Sequence, residues 1–152
     1  MPAWINEARE KAGEPAMCVA EIMIRNPVTV SPANSIGTAI RRMRKSGCRC
    51  LPVVEEGRLV GMVTDYELSR AANSPLVVRE PWHDHFLLDL IEVRSCMMRD
   101  PLTVAPDAHI REVARIVCEC GVGGVPVVRG RRLVGLVTTA DLLKHLIRLL
   151  GG

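Results

Sequence analysis

Leu133 to Leu143 reads LVGLVTTADLL: a short apolar run interrupted by Gly135, then Thr138 with an acid three residues on, at Asp141. That is the pattern of a buried strand running straight into a helix that opens on a threonine. The same pattern stands earlier at Leu59–Leu68, LVGMVTDYEL, with Gly61, Thr64 and Glu67 in the matching places. Glycine, threonine and acid all recur at one offset of 74 residues. A fixed internal period sets the architecture, because each copy becomes one structural unit.

The repeat extends outward at the same offset and without a gap. Met23, Pro27, Thr29, Val30, Pro32 and Ile36 recur as Met97, Pro101, Thr103, Val104, Pro106 and Ile110. Gly47, Pro52, Val53 and Val54 recur as Gly121, Pro126, Val127 and Val128, while Ile40 and Met43 become the equally apolar Ala114 and Val117. The chain therefore divides into an N-terminal segment (1–16), a first repeat (17–75), a linker (76–92) and a second repeat (93–150).

Within the first repeat, Val19–Met23 reads as one helical turn and Val28–Val30 as a short strand that Pro32 ends. From Ser35 to Ser46, Ile36, Ala39, Ile40 and Met43 share one helical face, and Gly47 suits the C-terminus of that helix. Leu51–Val54 and Leu59–Val63 form a hairpin around Glu55–Arg58, followed by a helix over Tyr66–Ala72. The second repeat follows the same plan, with a helix at Ile110–Cys120 and strands at Val125–Val128 and Leu133–Val137. Its last helix, Ala140–Leu150, carries Leu142, Leu143, Leu146, Ile147 and Leu150, more apolar surface than a unit of roughly 60 residues can cover. A homodimer is the expectation. Trp4, Ile5, Ala8 and Ala12 fall at helical spacing, so the N-terminus is either a short amphipathic helix or an unstructured start. In the linker, Leu87, Leu88, Leu90 and Ile91 suggest a helical turn docked on the second repeat. His83 and His85 beside Asp84 read as surface polar groups around Trp82 and Phe86 rather than as metal ligands.

Apolar residues make up 48% of the 152 but aromatics only 3%, so the core is built from Val, Leu, Ile, Met and Ala. A net charge of +3 is too small to argue for nucleic-acid binding. With no secretory pattern and no apolar run of about 18 residues, no membrane association is expected and the compartment is expected to be cytoplasmic. Six cysteines stand at 18, 48, 50, 96, 118 and 120. In that compartment a disulfide framework is not expected. Cys48-Arg-Cys50 and Cys118-Glu-Cys120 lack the C-x₂-C spacing of zinc sites, and residues 118 and 120 on a helix point about 200° apart. No metal is expected, and the thiols are read as small buried hydrophobes.

With these residues in view, the chain resembles a tandem pair of cystathionine-β-synthase (CBS) domains, the stand-alone arrangement called a Bateman module. The motifs are Met-x-x-x-Pro-x-Thr-Val at Met23–Val30 and Met97–Val104, and Gly-x-x-x-x-Pro-Val-Val at Gly47–Val54 and Gly121–Val128. Gly-x-Val-Thr-x-x-Asp/Glu-Leu follows at Gly61–Leu68 and Gly135–Leu142. The aromatic linker is also similar to CBS pairs of the acetoin-utilisation type. The resemblance implies an α/β (α+β) fold: two β-α-β-β-α units packed by their sheets with pseudo-twofold symmetry. It also implies clefts between the halves that take adenosine-containing ligands: AMP, ADP, ATP, S-adenosylmethionine or NAD.

In such clefts the Thr-x-x-acid element holds phosphate and ribose, and the adenine lies among apolar residues and strand ends. A helix N-terminus suits phosphate, and an ionised carboxylate accepts hydroxyl hydrogen bonds. The same element is also a capping-box pattern, and spacing by itself leaves both roles open. Carried over by position, one cleft combines Val30, Ser31, Cys48, Arg49 and Cys50 with Leu136, Thr138 and Asp141. The other combines Met62, Thr64 and Glu67 with Val104, Ala105, Val122, Gly123 and Gly124. Arg49 offers a guanidinium for phosphate where the other cleft has Gly123, and Glu67 is one methylene longer than the usual Asp, so the Asp141 cleft is favoured.

Neither cleft motif supplies a nucleophile–base pair, so no catalytic residue and no resident cofactor are expected. The expectation is a non-enzymatic sensor that signals ligand occupancy to an unknown protein target. A ligand-free interaction module is the alternative.

Overall fold

The computed structural model describes residues 17–73 and 84–151. The readings made of Trp4, Ile5, Ala8 and Ala12, and of the side chains of Trp82, His83, His85 and Phe86, lie outside the described residues. In the first repeat, α1 (Val19–Ile22) leads into the two-residue strand β1 (Ile24–Arg25). There follow α2 (Ile36–Ser46), β2 (Cys50–Glu55), β3 (Arg58–Thr64) and α3 (Asp65–Ala72). A linker helix, α4 (Asp84–Leu90), and a 3₁₀ turn at Val93–Ser95 precede β4 (Met98–Arg99). The second repeat continues with α5 (Ile110–Cys120), β5 (Gly124–Arg129), β6 (Arg132–Thr138) and α6 (Thr139–Leu149).

Local chemistry fixes the ends of these elements. Ser35 caps α2 by accepting the Thr38 N–H at 3.0 Å, and Gly47 closes it in the left-handed conformation (φ 70°) that a side chain would disfavour. His109 and Gly121 do the same for α5. The expected strand at Val28–Val30 shrinks to a single parallel bridge from Val30 to Val53, matched by Val104 to Val127. Pro27 and Pro32 bracket that bridge, and proline donates no ladder hydrogen bond.

The two hairpins share one register: Cys50 faces Thr64 as Gly124 faces Thr138, and each ladder slips at the second valine of its Pro-Val-Val. The leading strands are exchanged between halves. β1 pairs with β6 (Ile24 with Leu136, Arg25 with Gly135), and β4 pairs with β3 (Met98 with Met62, Arg99 with Gly61). These pairings repeat at the sequence offset with the halves swapped, which is the pseudo-twofold symmetry expressed in register. Arg58 opposite Arg132 joins β3 to β6 and completes a six-stranded antiparallel sheet.

The glycines of the two Gly-x-Val-Thr motifs permit this crossing. A Cβ at Gly61 would stand 2.8 Å from the Met98 carbonyl oxygen, and one at Gly135 would stand 3.1 Å from that of Ile24.

Each core is likewise completed from the other repeat. Val30, Ile36, Leu51, Val53, Val63 and Leu68 enclose Val93, whereas Val104, Val113, Val125, Val127 and Val137 enclose Val19. Val19 and Val93 are fully buried, and burying one such side chain contributes about 1.5–3 kcal/mol.

The linker helix docks on the first repeat, not the second as expected. Leu88 and Ile91 pack on the first core, the Ile36 N–H donates to the Ile91 carbonyl at 2.8 Å, and Arg41 pairs with Asp89 at 3.3 Å. Because Val93 must reach the first core, the preceding residues are drawn to α2. The reading of all cysteines as buried also needs correction. Cys50 is buried, Cys18, Cys48 and Cys96 are half-buried, and Cys118 and Cys120 are exposed; all six are free thiols.

Candidate functional site

Both Thr-x-x-acid elements lie where a hairpin strand becomes a helix. At the start of α6, Asp141 Oδ2 accepts the Thr138 N–H at 2.8 Å and the Thr138 hydroxyl at 2.7 Å, and the Asp141 N–H donates back to Thr138 Oγ1 at 3.3 Å. At the start of α3, Glu67 Oε2 accepts the Thr64 N–H at 2.8 Å and bonds closely to the Thr64 hydroxyl. Both capping boxes are therefore closed. In each case one carboxylate oxygen does all the capping. Among the described residues nothing donates to Asp141 Oδ1 or Glu67 Oε1, and an ionised carboxylate accepts at both oxygens.

The seam between the repeats is a small buried cluster of Cys50, Met62 and Leu136. Met62 and Leu136 are equivalents, and so are Cys50 and Gly124, so the cluster marks the pseudo-twofold axis. The occupants are unequal: a Cβ on Gly124 would stand 2.7 Å from Cys50 Sγ. Burial pushes the Cys50 thiol up to about 11, with smaller contributions from Cys48, Asp65 and Asp141. Asp141 of the second repeat thus lies within electrostatic reach of Cys50 in the first.

Of the first set, Cys50 and Leu136 meet in this seam and Asp141 lies within electrostatic reach of it, while Cys48 packs on the first core and Thr138 caps α6. Arg49 between the two cysteines is exposed, and among the described residues its guanidinium has no ion-pair partner. Its carbonyl accepts the Asp65 N–H at 2.9 Å. Val30 instead belongs to the first core at 1% exposure, with its N–H given to the Pro52 carbonyl and its own carbonyl taken by Val54. Ser31 is held in a turn, its N–H on Asn34 Oδ1 at 2.7 Å and its Oγ accepting the Asn34 N–H at 3.2 Å.

The second set is placed symmetrically. Met62 lies in the seam and Gly124 abuts Cys50. Val104 is buried like Val30, with the same backbone bonds to Pro126 and Val128. Ala105 is exposed, and Val122 packs on the second core. The Gly123 carbonyl accepts the Thr139 N–H at 3.1 Å. Burial, and then the Glu67 charge, raises the Cys96 thiol, so Cys96 lies within electrostatic reach of this second acid.

Asp65 escaped the sequence reading. The hairpin register sets Cys50 opposite Thr64, so the next residue bonds back to Arg49 and stands beside Cys50. Its equivalent is the uncharged Thr139, a contrast visible once the repeats are aligned. Among the described residues no group of three or more His, Cys, Asp or Glu is arranged to hold a metal, and no described helix is long and apolar enough to cross a membrane.

Two capped hairpin–helix units exchanging their leading strands and sharing one seam define a paired-domain architecture. The CBS-domain family model matches residues 19–74 and 93–148, and the chain belongs to that family as a CBS pair. It is similar to a CBS domain-containing protein of Dictyostelium discoideum, 31% identical over 134 residues, which cover 87% of this chain and 92% of the relative. Among solved structures, an acetoin utilization protein (AcuB) of Vibrio cholerae superposes with a TM-score of 0.76 at 27% identity, covering 90% of this chain and 94% of that one. The CBS pair of protein MJ0100, solved with 5′-methylthioadenosine and S-adenosyl-L-methionine, gives 0.73 at 27% identity over 89% and 99% of the two chains. Other relatives are longer: the chain spans 22% of an inosine-5′-monophosphate dehydrogenase of Korarchaeum cryptofilum.

Proposed function

We propose that this CBS pair is a non-enzymatic regulatory module that binds an adenosine-containing ligand in the cleft formed by Asp141 and the Cys48–Cys50 segment. The observation that carries it is the arrangement of Asp141. Its Oδ2 is fixed by the cap, its Oδ1 is left over, and its charge reaches the Cys50 thiol of the other repeat. A carboxylate already oriented by two bonds accepts ribose hydroxyls with little further ordering. The similar CBS pair of MJ0100 was solved with two such adenosine compounds, which supports the ligand class.

Within the class, Arg49 favours a phosphorylated ligand such as AMP, ADP, ATP or NAD. Asp65 and Asp141 around one thiol suit the sulfonium of S-adenosylmethionine. We take the ligand to act through a homodimer, since Leu143, Leu146 and Ile147 on α6 and Leu150 at its C-cap are about half exposed or more. That same face favours the alternative, a ligand-free module docking another protein. A cytoplasmic location and the absence of membrane and nucleic-acid partners belong to this reading too.

Thermal-shift titration with AMP, ATP, S-adenosylmethionine and NAD separates the two. A ligand of the native state raises the melting temperature with concentration. No shift with any of the four would leave the interaction module standing.

A further inference from the structure

The two hairpin turns meet at the end of the sheet remote from the capped helices. Around the Arg58–Arg132 pair opens a depression of about 610 Å³ lined by Glu56, Gly57, Arg58, Arg129, Arg131 and Arg132. Four arginines and one glutamate line it, and the Arg132 guanidinium lies 3.9 Å from where a Cβ on Gly57 would stand. Like charges directly opposite across a strand pair are destabilising, and folding alone gives no reason to gather them.

Among the described residues Arg44, Arg49, Arg99, Arg111 and Arg148 are also exposed without an ion pair, but none of them lines the depression, and other arginines are partnered. Arg41, Arg94 and Arg115 form ion pairs with Asp89, Glu92 and Glu119, and Arg42 donates to the Thr29 carbonyl at 2.6 Å. Among the described residues the four arginines of the depression have neither an ion pair nor a side-chain hydrogen bond. Three of them sit in the second turn, where the equivalent positions of the first hold Glu55, Gly57 and Arg58. The charge is thus a local departure from the repeat.

We infer that this depression is an anion site for a compact polyphosphate group, of the kind found in pyrophosphate, tripolyphosphate or the phosphate chain of a nucleotide. Guanidinium forks match phosphate oxygens bidentately, and several arranged around a concavity hold a multiply charged anion together. The site is separate from the proposed adenosine cleft. Arg58 and Arg132 each lie six residues before the threonine that caps the next helix, about 20 Å along a strand.

The test is calorimetric titration of the whole chain with tripolyphosphate, and separately with ATP, at low and at physiological ionic strength. Tripolyphosphate is expected to bind, more weakly as salt rises. Arg132→Gln should weaken it about ten-fold, and Arg58→Gln with Arg132→Gln together more, by loss of charged contacts. Arg44→Gln, an exposed arginine on α2 outside both the depression and the adenosine cleft, should leave tripolyphosphate affinity unchanged. Equal affinity of tripolyphosphate and ATP would assign the bare phosphate chain, and tighter ATP binding that survives Asp141→Asn would assign a nucleotide. Without ligand, Arg58→Gln should melt no lower than the parent, because it relieves repulsion. Absence of tripolyphosphate binding, equal loss in Arg44→Gln, or preference for an oligoglutamate peptide over tripolyphosphate would overturn the assignment.

Discussion

The two inter-repeat clefts are built on one plan and differ in charge. Each has a strand ending in a capping threonine, an acid three residues on with one oxygen to spare, and a backbone bond from the residue after the threonine to the facing loop. At the Thr64–Glu67 box that loop carries Arg49 and the residue after the threonine is Asp65, whereas at the Thr138–Asp141 box the equivalents are Gly123 and Thr139. Across the seam it is Asp141 whose charge reaches Cys50, the neighbour of Arg49. What both clefts keep is what folding requires, since both helices need their caps. What differs is what a polar ligand would meet. A duplicated motif can therefore be structural in both copies and still serve binding in one.

The seam provides the largest expected effect. Gly124→Ala would push a methyl into Cys50 Sγ, 2.7 Å away, in a buried cluster. Overpacking of this kind costs about 1–3 kcal/mol. Cys50→Ala in the same chain should recover most of it, and urea denaturation of the double-mutant cycle measures the coupling. Additive losses would mean that the two positions do not face each other.

The same thiol gives the clefts a pH signature. Below pH 9 folded and unfolded chains both hold the Cys50 proton. Between 9 and about 11 the unfolded chain releases it while the folded chain retains it. The folded state then binds more protons, so stability falls as pH rises through that window, by up to about 2–3 kcal/mol at its top. Cys50→Ala should flatten the fall, whereas substituting the exposed Cys118 should not. Native-state alkylation mapped by mass spectrometry should accordingly label Cys118 and Cys120 first and Cys50 last.

A smaller effect sharpens the charge contrast. Arg49→Ala should weaken a phosphorylated adenosine ligand about ten-fold by calorimetry and leave uncharged adenosine nearly unaffected. Arg49 is exposed and unpaired among the described residues, so stability should change by less than about 0.5 kcal/mol.

Much of this was legible in the sequence because it is local. The offset of 74, the hairpins at Pro-Val-Val, the glycine helix ends and both capping boxes follow from residues close together in the chain. The exchange of β1 and β4 was not legible. A two-residue strand can add to either of two nearly identical hairpins, and only the burial of Val19 and Val93 in the opposite cores decides. The docking of α4 on the first repeat follows from that exchange and was missed with it. Of the residues read into the clefts, Val30 and Val104 proved to be core with their backbone groups already bonded. Asp65 entered through the pairing of Cys50 with Thr64, a matter of register rather than motif.

The most direct test of the central assignment is paired calorimetry of Asp141→Ala and Glu67→Ala, using whichever adenosine compound gives the larger thermal shift. Both variants lose a helix cap, at about 0.5–2 kcal/mol of stability each, so the difference between them reports on the ligand. Asp141→Asn keeps the side-chain shape and separates charge from capping. Asp141→Ala is expected to weaken binding roughly ten- to a hundred-fold, with Glu67→Ala close to the parent. Greater damage from Glu67→Ala than from Asp141→Ala would contradict the assignment of the ligand to the Asp141 cleft.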